Sequence, residues 1–125
     1  MARWVRVRNQ TRQGEMVVLA RWCESHLCRL RGLTFRSKLP DGQGLLLVGQ
    51  KDSISLAAIH MFGVFFSLGV VWIDSSLRVV GKTLARPLGI YRPEAAARYV
   101  LEGRPSILEG VHPGDWLEFV DEAQA

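Results

Sequence analysis

Apolar and basic residues alternate at the start of the chain, with Val5 and Val7 set against Arg6 and Arg8. A period of two is the signature of a strand with one buried face. Asn9 to Gly14 supplies turn residues and Met16 to Trp22 a second strand, so the N-terminal stretch predicts a hairpin. Glu24 or Ser25 can start a short helix that carries Leu27 and Leu30 on one face and ends at Gly32. Pro40-Asp41-Gly42 is a strong turn signal, and the apolar run Gly44 to Val48 after it has the pattern of a buried strand.

Ile54 to Ile73 contains no Asp, Glu, Lys or Arg, and its twenty residues are long enough to cross a bilayer as a helix. Its content argues otherwise. Ser55, His60, Gly63, Ser67 and Gly69 are unfavourable in a lipid-facing helix, and β-branched and aromatic residues dominate the rest. Two buried strands broken near Phe62-Gly63 account for it as well. Asp74-Ser75-Ser76 then predicts a turn inside a hairpin running from Val70 to Leu84. Further on, Pro87 and Pro93 bracket a loop, and Glu94 to Arg98 reads as one helical turn before a strand at Tyr99 to Glu102. Ser106 with Glu109 matches a capping box, His112 to Asp115 a tight turn, and Trp116 to Val120 a last strand. Many short strands with frequent turns predict one compact domain over residues 1–125, mainly β with short helices, as a sandwich or barrel.

Composition changes this picture little. The hydrophobic fraction of 48% and charged fraction of 22% support a globular core. Charge is unevenly placed: residues 1–38 hold nine Lys or Arg against two acids, and the remainder seven against ten. A basic face attracts nucleic acid or anionic lipid, but it is also an ordinary solvated face. Cys23 and Cys28 are the only cysteines. Two thiols do not make a four-ligand zinc site, and His26, His60 and His112 lack the spacing to complete one, so no metal is expected. Positions five apart do not share a helix face, and the pair reads as two reduced structural cysteines in a reducing compartment. With no apolar signal core after Met1-Ala2-Arg3-Trp4, the expectation is a cytoplasmic protein.

Four blocks in order resemble the family called domain of unknown function 192. They are Arg29-Leu30-Arg31-Gly32-Leu33 with Arg36 and Leu39; Gly44 to Leu47; Ile59-His60-Met61-Phe62-Gly63 leading to Val70-Val71-Trp72-Ile73-Asp74; and Val100-Leu101-Glu102-Gly103 with Gly114-Asp115. The resemblance covers about residues 15–120 and implies a soluble β fold, against the membrane reading. It implies no reaction. Where relatives with the Ile-His-x-Phe-Gly block carry a basic residue and later an aspartate, this chain has Phe65 and Gly69. If that pair held a ligand in relatives, this chain has lost it; if it was a buried salt bridge, neutral replacement of both partners is tolerated.

Candidate chemistry centres on His60, the one ionisable side chain in the apolar run. A buried histidine serves as general base or ligand contact, or simply satisfies a backbone carbonyl in a core. Asp74, Glu102 and Asp115 stand at turns or strand ends, where carboxylates commonly fix loops by accepting backbone N–H bonds. Converging, they would do acid–base work or hold a hard cation. No nucleophile motif stands near His60, and Gly42-Gln43-Gly44 lacks the helix and lysine of a phosphate loop.

The leading reading is a non-catalytic module, without cofactor, that binds a small molecule or a protein through a pocket near His60. A hydrolase-like enzyme using His60 with one of Asp74, Glu102 or Asp115 is the alternative. A nucleic-acid binder using Trp4, Arg6, Arg8 and Arg12 comes third. Trp72 and Trp116 read as core. The partner is thus an unnamed small molecule or protein, with nucleic acid and membrane disfavoured, and the chain is a monomer or a homodimer joined through apolar residues such as Phe62, Phe65 and Phe66.

Overall fold

In the computed structural model, which describes residues 2–25, 28 and 39–122, the N-terminal alternation becomes strand β1 (Trp4–Asn9). Val5, Val7 and Asn9 are buried on one face, while Trp4, Arg6 and Arg8 alternate on the other. The chain turns through a short 3-10 segment, Gln10–Arg12, and returns antiparallel as β2 (Glu15–Cys23). Asn9 caps this segment by accepting the Thr11 N–H at 3.1 Å. Then follow β3 (Gln43–Ser53), β4 (Ile59–His60), β5 (Leu68–Ile73), β6 (Val79–Ala85), β7 (Ile90–Tyr91), β8 (Ala97–Gly103) and β9 (Leu117–Asp121).

Seven strands form one sheet in the order β6-β5-β8-β3-β2-β1-β9, and β4 pairs with β7 in a separate two-stranded sheet. All neighbours are antiparallel except β2 and β3, which run parallel. A parallel pair needs a crossover rather than a hairpin, and residues 24–42 supply it. The large sheet curls into a half-barrel whose ends meet. Leu117 N–H donates to Leu77 O, and Val79 N–H to Asp115 O, each at 2.8 Å. These bonds tie the start of one edge strand to the start of the other.

Alternation along the strands makes two cores. The inner one gathers Val5, Val7, Leu46, Val71, Ile73 and Leu101 under Ile107 of a 3-10 helix, Pro105–Gly110. The outer one sets Leu45, Val70, Trp72 and Val100 against Leu39, Ile59, Met61 and Val64. Burial of one such side chain stabilises by about 1.5–3 kcal/mol. Both strands expected in the long uncharged run are present, at Ile59–His60 and Leu68–Ile73. The break between them is wider than Phe62-Gly63 alone, spanning 61–67. Among the described residues no helix is long and apolar enough to cross a membrane.

Several expectations need correction. Residues 94–96 form no helical turn; they bend into β8, which begins at Ala97. The helix expected to start at the Ser106 capping box starts instead at Pro105, with Arg104 as an extended N-cap that makes no side-chain bond. Proline's fixed φ suits the first helical position and moves the start one residue back. The loop between Pro87 and Pro93 contains a strand, β7. Trp116 is not core: it is exposed, forms an isolated bridge with Arg78, and lies 5.4 Å from that residue's guanidinium.

Cys23 and Cys28 are not reduced but joined in a disulfide, with Cα atoms 5.6 Å apart. The argument from helical spacing fails because Cys23 ends strand β2, so the two cysteines do not sit on one helix. Ser25 Oγ accepts the Cys28 N–H at 3.1 Å, the bond of a helix N-cap, as expected for a start there. Leu27, Leu30, Gly32 and the first family block up to Arg36 lie outside the described residues. The disulfide also removes one ground for expecting a reducing compartment.

Candidate functional site

The four residues proposed for a site at His60 occupy four different environments. Asp74 follows β5 and fixes the β5–β6 turn: its Oδ1 accepts N–H groups from Ser76 at 2.9 Å and Arg78 at 3.1 Å. This is the loop-fixing role read for it from the sequence. Asp115 does the same work in a richer setting. Its Oδ2 accepts from the Asn9 side chain at 2.8 Å and from the His112 N–H at 2.9 Å, with the Arg12 guanidinium at 3.7 Å. Burial opposes its charge, but these two hydrogen bonds and the nearby Arg12 and His112 outweigh it and hold the carboxyl below its ordinary range. Lys82 completes the cluster by donating to Leu108 O, at 2.7 Å, and Val111 O, at 2.9 Å, and lies 3.2 Å from His112 Nδ1. Every group there has a partner.

Glu102 is not at a turn. It lies within β8, 5% exposed, on the outer face in a cross-strand row Trp4, Arg21, Leu45, Glu102, Val70, Thr83. Its neighbours in that row, Leu45 and Val70, are apolar. No described residue hydrogen-bonds its Oε1. Burial alone pushes its carboxyl up to about 7. Asn9, the partner of Asp115, faces inward beside Val7, so Glu102 and Asp115 lie on opposite sides of the sheet.

His60 is neither a core residue nor a group satisfying a carbonyl. Its ring is exposed, accepts the Phe62 N–H at Nδ1 over 3.3 Å, and stacks on Phe62 with centroids 5.3 Å apart. Across the small sheet it pairs with Ile90, so both side chains stand on one face. Among the described residues no hydrogen bond or ion pair joins His60 to Asp74, Glu102 or Asp115, which the hydrolase reading required.

What sequence reading missed is the surface beside His60. The turn before β7 is closed by Gly89 N–H to Arg86 O at 3.1 Å, with Pro87 second and Leu88 third. Leu88 has φ +70°, the left-handed region that this turn position normally gives to glycine or asparagine. Its side chain is nevertheless 74% exposed, and that of Ile90 is 70% exposed. The turn is strapped from beneath: Tyr91 OH accepts the Arg86 N–H at 2.9 Å, and its ring fills the space a side chain on Gly89 would need. Leu88 N–H donates to Met61 O, which brings the turn alongside Phe62. Leu88, Ile90, Phe62 and His60 are thus displayed together. The available signal was an apolar residue in a Pro-Leu-Gly turn.

The basic residues divide differently. Trp4, Arg6 and Arg8 share the outer face of β1, but Arg12 belongs with Asp115. Arg6 pairs with Glu122 at 3.2 Å and Arg3 with Asp121 at 2.7 Å, so acids at the chain's other end offset the basic stretch. Phe65 is exposed, whereas Gly69 is pressed against the 3-10 helix, where an added Cβ would lie 2.8 Å from Arg104 O. The two positions therefore face different surroundings in this chain, and position 69 has no room for a side chain without movement of that helix.

Comparison with known proteins agrees with this architecture. A UPF0127 protein of Pyrococcus horikoshii is 32% identical over 114 residues, covering 90% of this chain and 93% of the relative. One from Thermococcus gammatolerans is 34% identical over 98 residues, 77% of this chain and 63% of the longer relative. Among solved structures, one from Sinorhizobium meliloti, described only provisionally as a transcription regulator, superposes with a TM-score of 0.80 at 22% identity over 95% of this chain and 94% of its own. A protein of unknown function from Novosphingobium aromaticivorans gives 0.74 at 20% identity, over 92% and 83%. At that identity the likeness is one of fold. The model of the domain of unknown function 192, described as "Uncharacterized ACR", matches residues 7–119, and the chain belongs to that family.

Proposed function

We propose that the protein is a non-catalytic binding module whose contact surface is the β4–β7 face, formed by His60, Phe62, Leu88 and Ile90, and that its partner is a protein. The observation that carries this is Leu88. A branched residue held at positive φ costs roughly 1–2 kcal/mol, and leaving its side chain in water forgoes burial as well. Glycine would relieve both costs. A residue unfavourable for the fold on two counts is best explained by an interaction outside it. The neighbouring aromatic pair and Ile90 extend the same apolar surface, and flat apolar surface suits a protein partner better than a small polar molecule.

A photo-reactive amino acid placed at position 90, with position 15 as control, tests the reading in the cell of origin. The expected result is a discrete adduct from position 90 alone that disappears when Leu88→Gly is added. Equal labelling at both positions, or an adduct indifferent to Leu88→Gly, would refute it.

A further inference from the structure

Asp115 and Glu102 are the buried acids among the described residues, and only Glu102 carries a buried oxygen, Oε1, that no described residue hydrogen-bonds. Across the sheet Glu102 meets Leu45 on β3 and Val70 on β5. Side chains alternate along a strand, so Gln43 and Leu47 flank Leu45 on that face, and Leu68 and Trp72 flank Val70. None of these is charged. Thr83 stands beyond Val70, and residues 54–73, which cover the face with Ile59, Met61 and Val64, hold no Asp, Glu, Lys or Arg. The nearest described cations on the face are three arginines. Arg21 lies beyond Leu45, two strands and roughly 10 Å away. Arg98 lies four residues back along β8 and donates to Gly49 O at 3.0 Å. Arg104 is nearest, two residues on, roughly 7 Å along the chain.

Arg104 leaves β8 with extended backbone, φ −65° and ψ 155°, which keeps its side chain on the face of Glu102. Its Nε donates to Leu39 O at 2.9 Å, and Leu39 packs in the same outer core as Leu45 and Val70. Its Nη1 pairs with Asp41 at 2.6 Å. Both partners belong to the end of the crossover, where Pro40 to Gln43 form a turn closed by Gln43 N–H to Pro40 O at 3.2 Å. Gly42 supplies the positive φ of +74°, and its carbonyl accepts the Leu19 N–H at 2.9 Å, so this turn sets where β3 starts against β2. The hold on it is weak. Asp41 is 87% exposed and Arg104 46%, and an ion pair in water contributes little. A buried carboxylate without a cation is far costlier.

We propose that Glu102 and the Pro40–Gln43 turn compete for Arg104. While Glu102 keeps its proton, the guanidinium fastens the turn. Once Glu102 releases that proton to solvent, the guanidinium swings to the carboxylate and the turn is let go. Asp41 loses little, because water already solvates it. Leu39 O loses a donor, a smaller loss than a buried ion left without its counter-charge. With Arg104 held on the turn, burial pushes the Glu102 carboxyl up to about 7, and pairing with Arg104 favours the ionised form. The change of partner therefore falls between the ordinary 4.5 and about 7, with the turn fastened on the acid side and loose on the other. It loosens the junction of the crossover with β3 and is independent of the β4–β7 contact surface.

Solution NMR of the full chain on both sides of the Glu102 titration tests it. In wild type the Glu102 carboxyl carbon, the Arg104 Nε–H and the protection of the Leu19 and Gln43 amides should change with one shared midpoint. Corrected for intrinsic exchange, protection of those two amides should fall at least about tenfold above the midpoint, while that of Val71 and Leu101 holds, which marks a local opening. Glu102→Gln should remove this step. Arg104→Gln leaves the carboxylate without a partner and should raise the Glu102 midpoint by about one pH unit. An Arg104 charge that stayed on the turn would be screened, and its removal would move the midpoint by only about 0.3 pH unit or less. A shift that small overturns the proposal, as does an Arg104 signal silent at the Glu102 midpoint or an amide step that survives Glu102→Gln. The wild-type signals decide the matter even if a variant fails to fold.

Discussion

The barrel wall around Asp115 and the small β4–β7 sheet follow opposite rules. At Asp115 every polar group is matched: Asn9 is fully buried yet donates twice, to Asp115 at 2.8 Å and to Gly110 O at 2.9 Å, while Lys82 has a partner for each of its protons. At β4–β7 the turn's backbone groups are matched, but its side chains are not. Apolar side chains face water, a leucine sits at positive φ, and one strand edge is unpaired among the described residues. Satisfied groups hold a fold together and offer nothing to a partner. Unsatisfied ones reduce stability and mark where a partner would offset that loss.

Removing a member of the satisfied cluster should do the most damage. Asp115→Ala leaves the buried Asn9 amide and the Arg12 charge without their acceptor and should cost about 3 kcal/mol in denaturant unfolding at neutral pH. A loss under about 0.5 kcal/mol, the size of an ordinary surface substitution, would mean that the network is ornamental.

Glu102 offers the next contrast, because its pH dependence runs opposite to that of Asp115. Its folded-state value of about 7 lies above the ordinary 4.5, so between those values the native state holds a proton that the unfolded chain has released. Stability from this group is full below about pH 4.5 and falls as pH rises through 7. Asp115, held low, contributes stability above its ordinary 3.8 that is lost only on acidification through its folded-state value. Glu102→Gln should therefore stabilise the protein by about 2–3 kcal/mol more at about pH 8 than at about pH 4.5, since each tenfold change in proton affinity is worth about 1.4 kcal/mol. Parallel stability–pH curves for wild type and variant would show Glu102 to be ordinary.

The smallest effect belongs to the turn. Leu88→Gly should raise unfolding free energy by about 1 kcal/mol, less whatever the freer unfolded chain takes back. A loss of stability would mean that Leu88 is packed and not displayed.

Alternation at Val5 and Val7, the Asp74 turn and the apolar run before Trp72 made the β architecture readable, because periodicity depends on local pattern alone. The parallel β2–β3 pair was not readable, since it depends on a long crossover and no local signal marks it. The same holds for burial at a single position. His60 looked buried because its neighbours are apolar, yet it alternates with Ile59 and Met61, which take the inner places. Glu102 looked like a strand-end residue because Gly103 follows it, yet β5 and β3 flank it on both sides. Helical spacing does not apply to Cys23 and Cys28, because Cys23 lies in strand β2.

The central claim is that Leu88 is kept for contact at the expense of the fold. One protein, Leu88→Gly, measured twice decides it: its unfolding free energy and the yield of the position-90 cross-link against wild type. The account predicts a more stable chain whose position-90 adduct falls at least about tenfold, since the side chain removed sits in the contact. A variant that is less stable, or that cross-links as strongly as wild type, would contradict it.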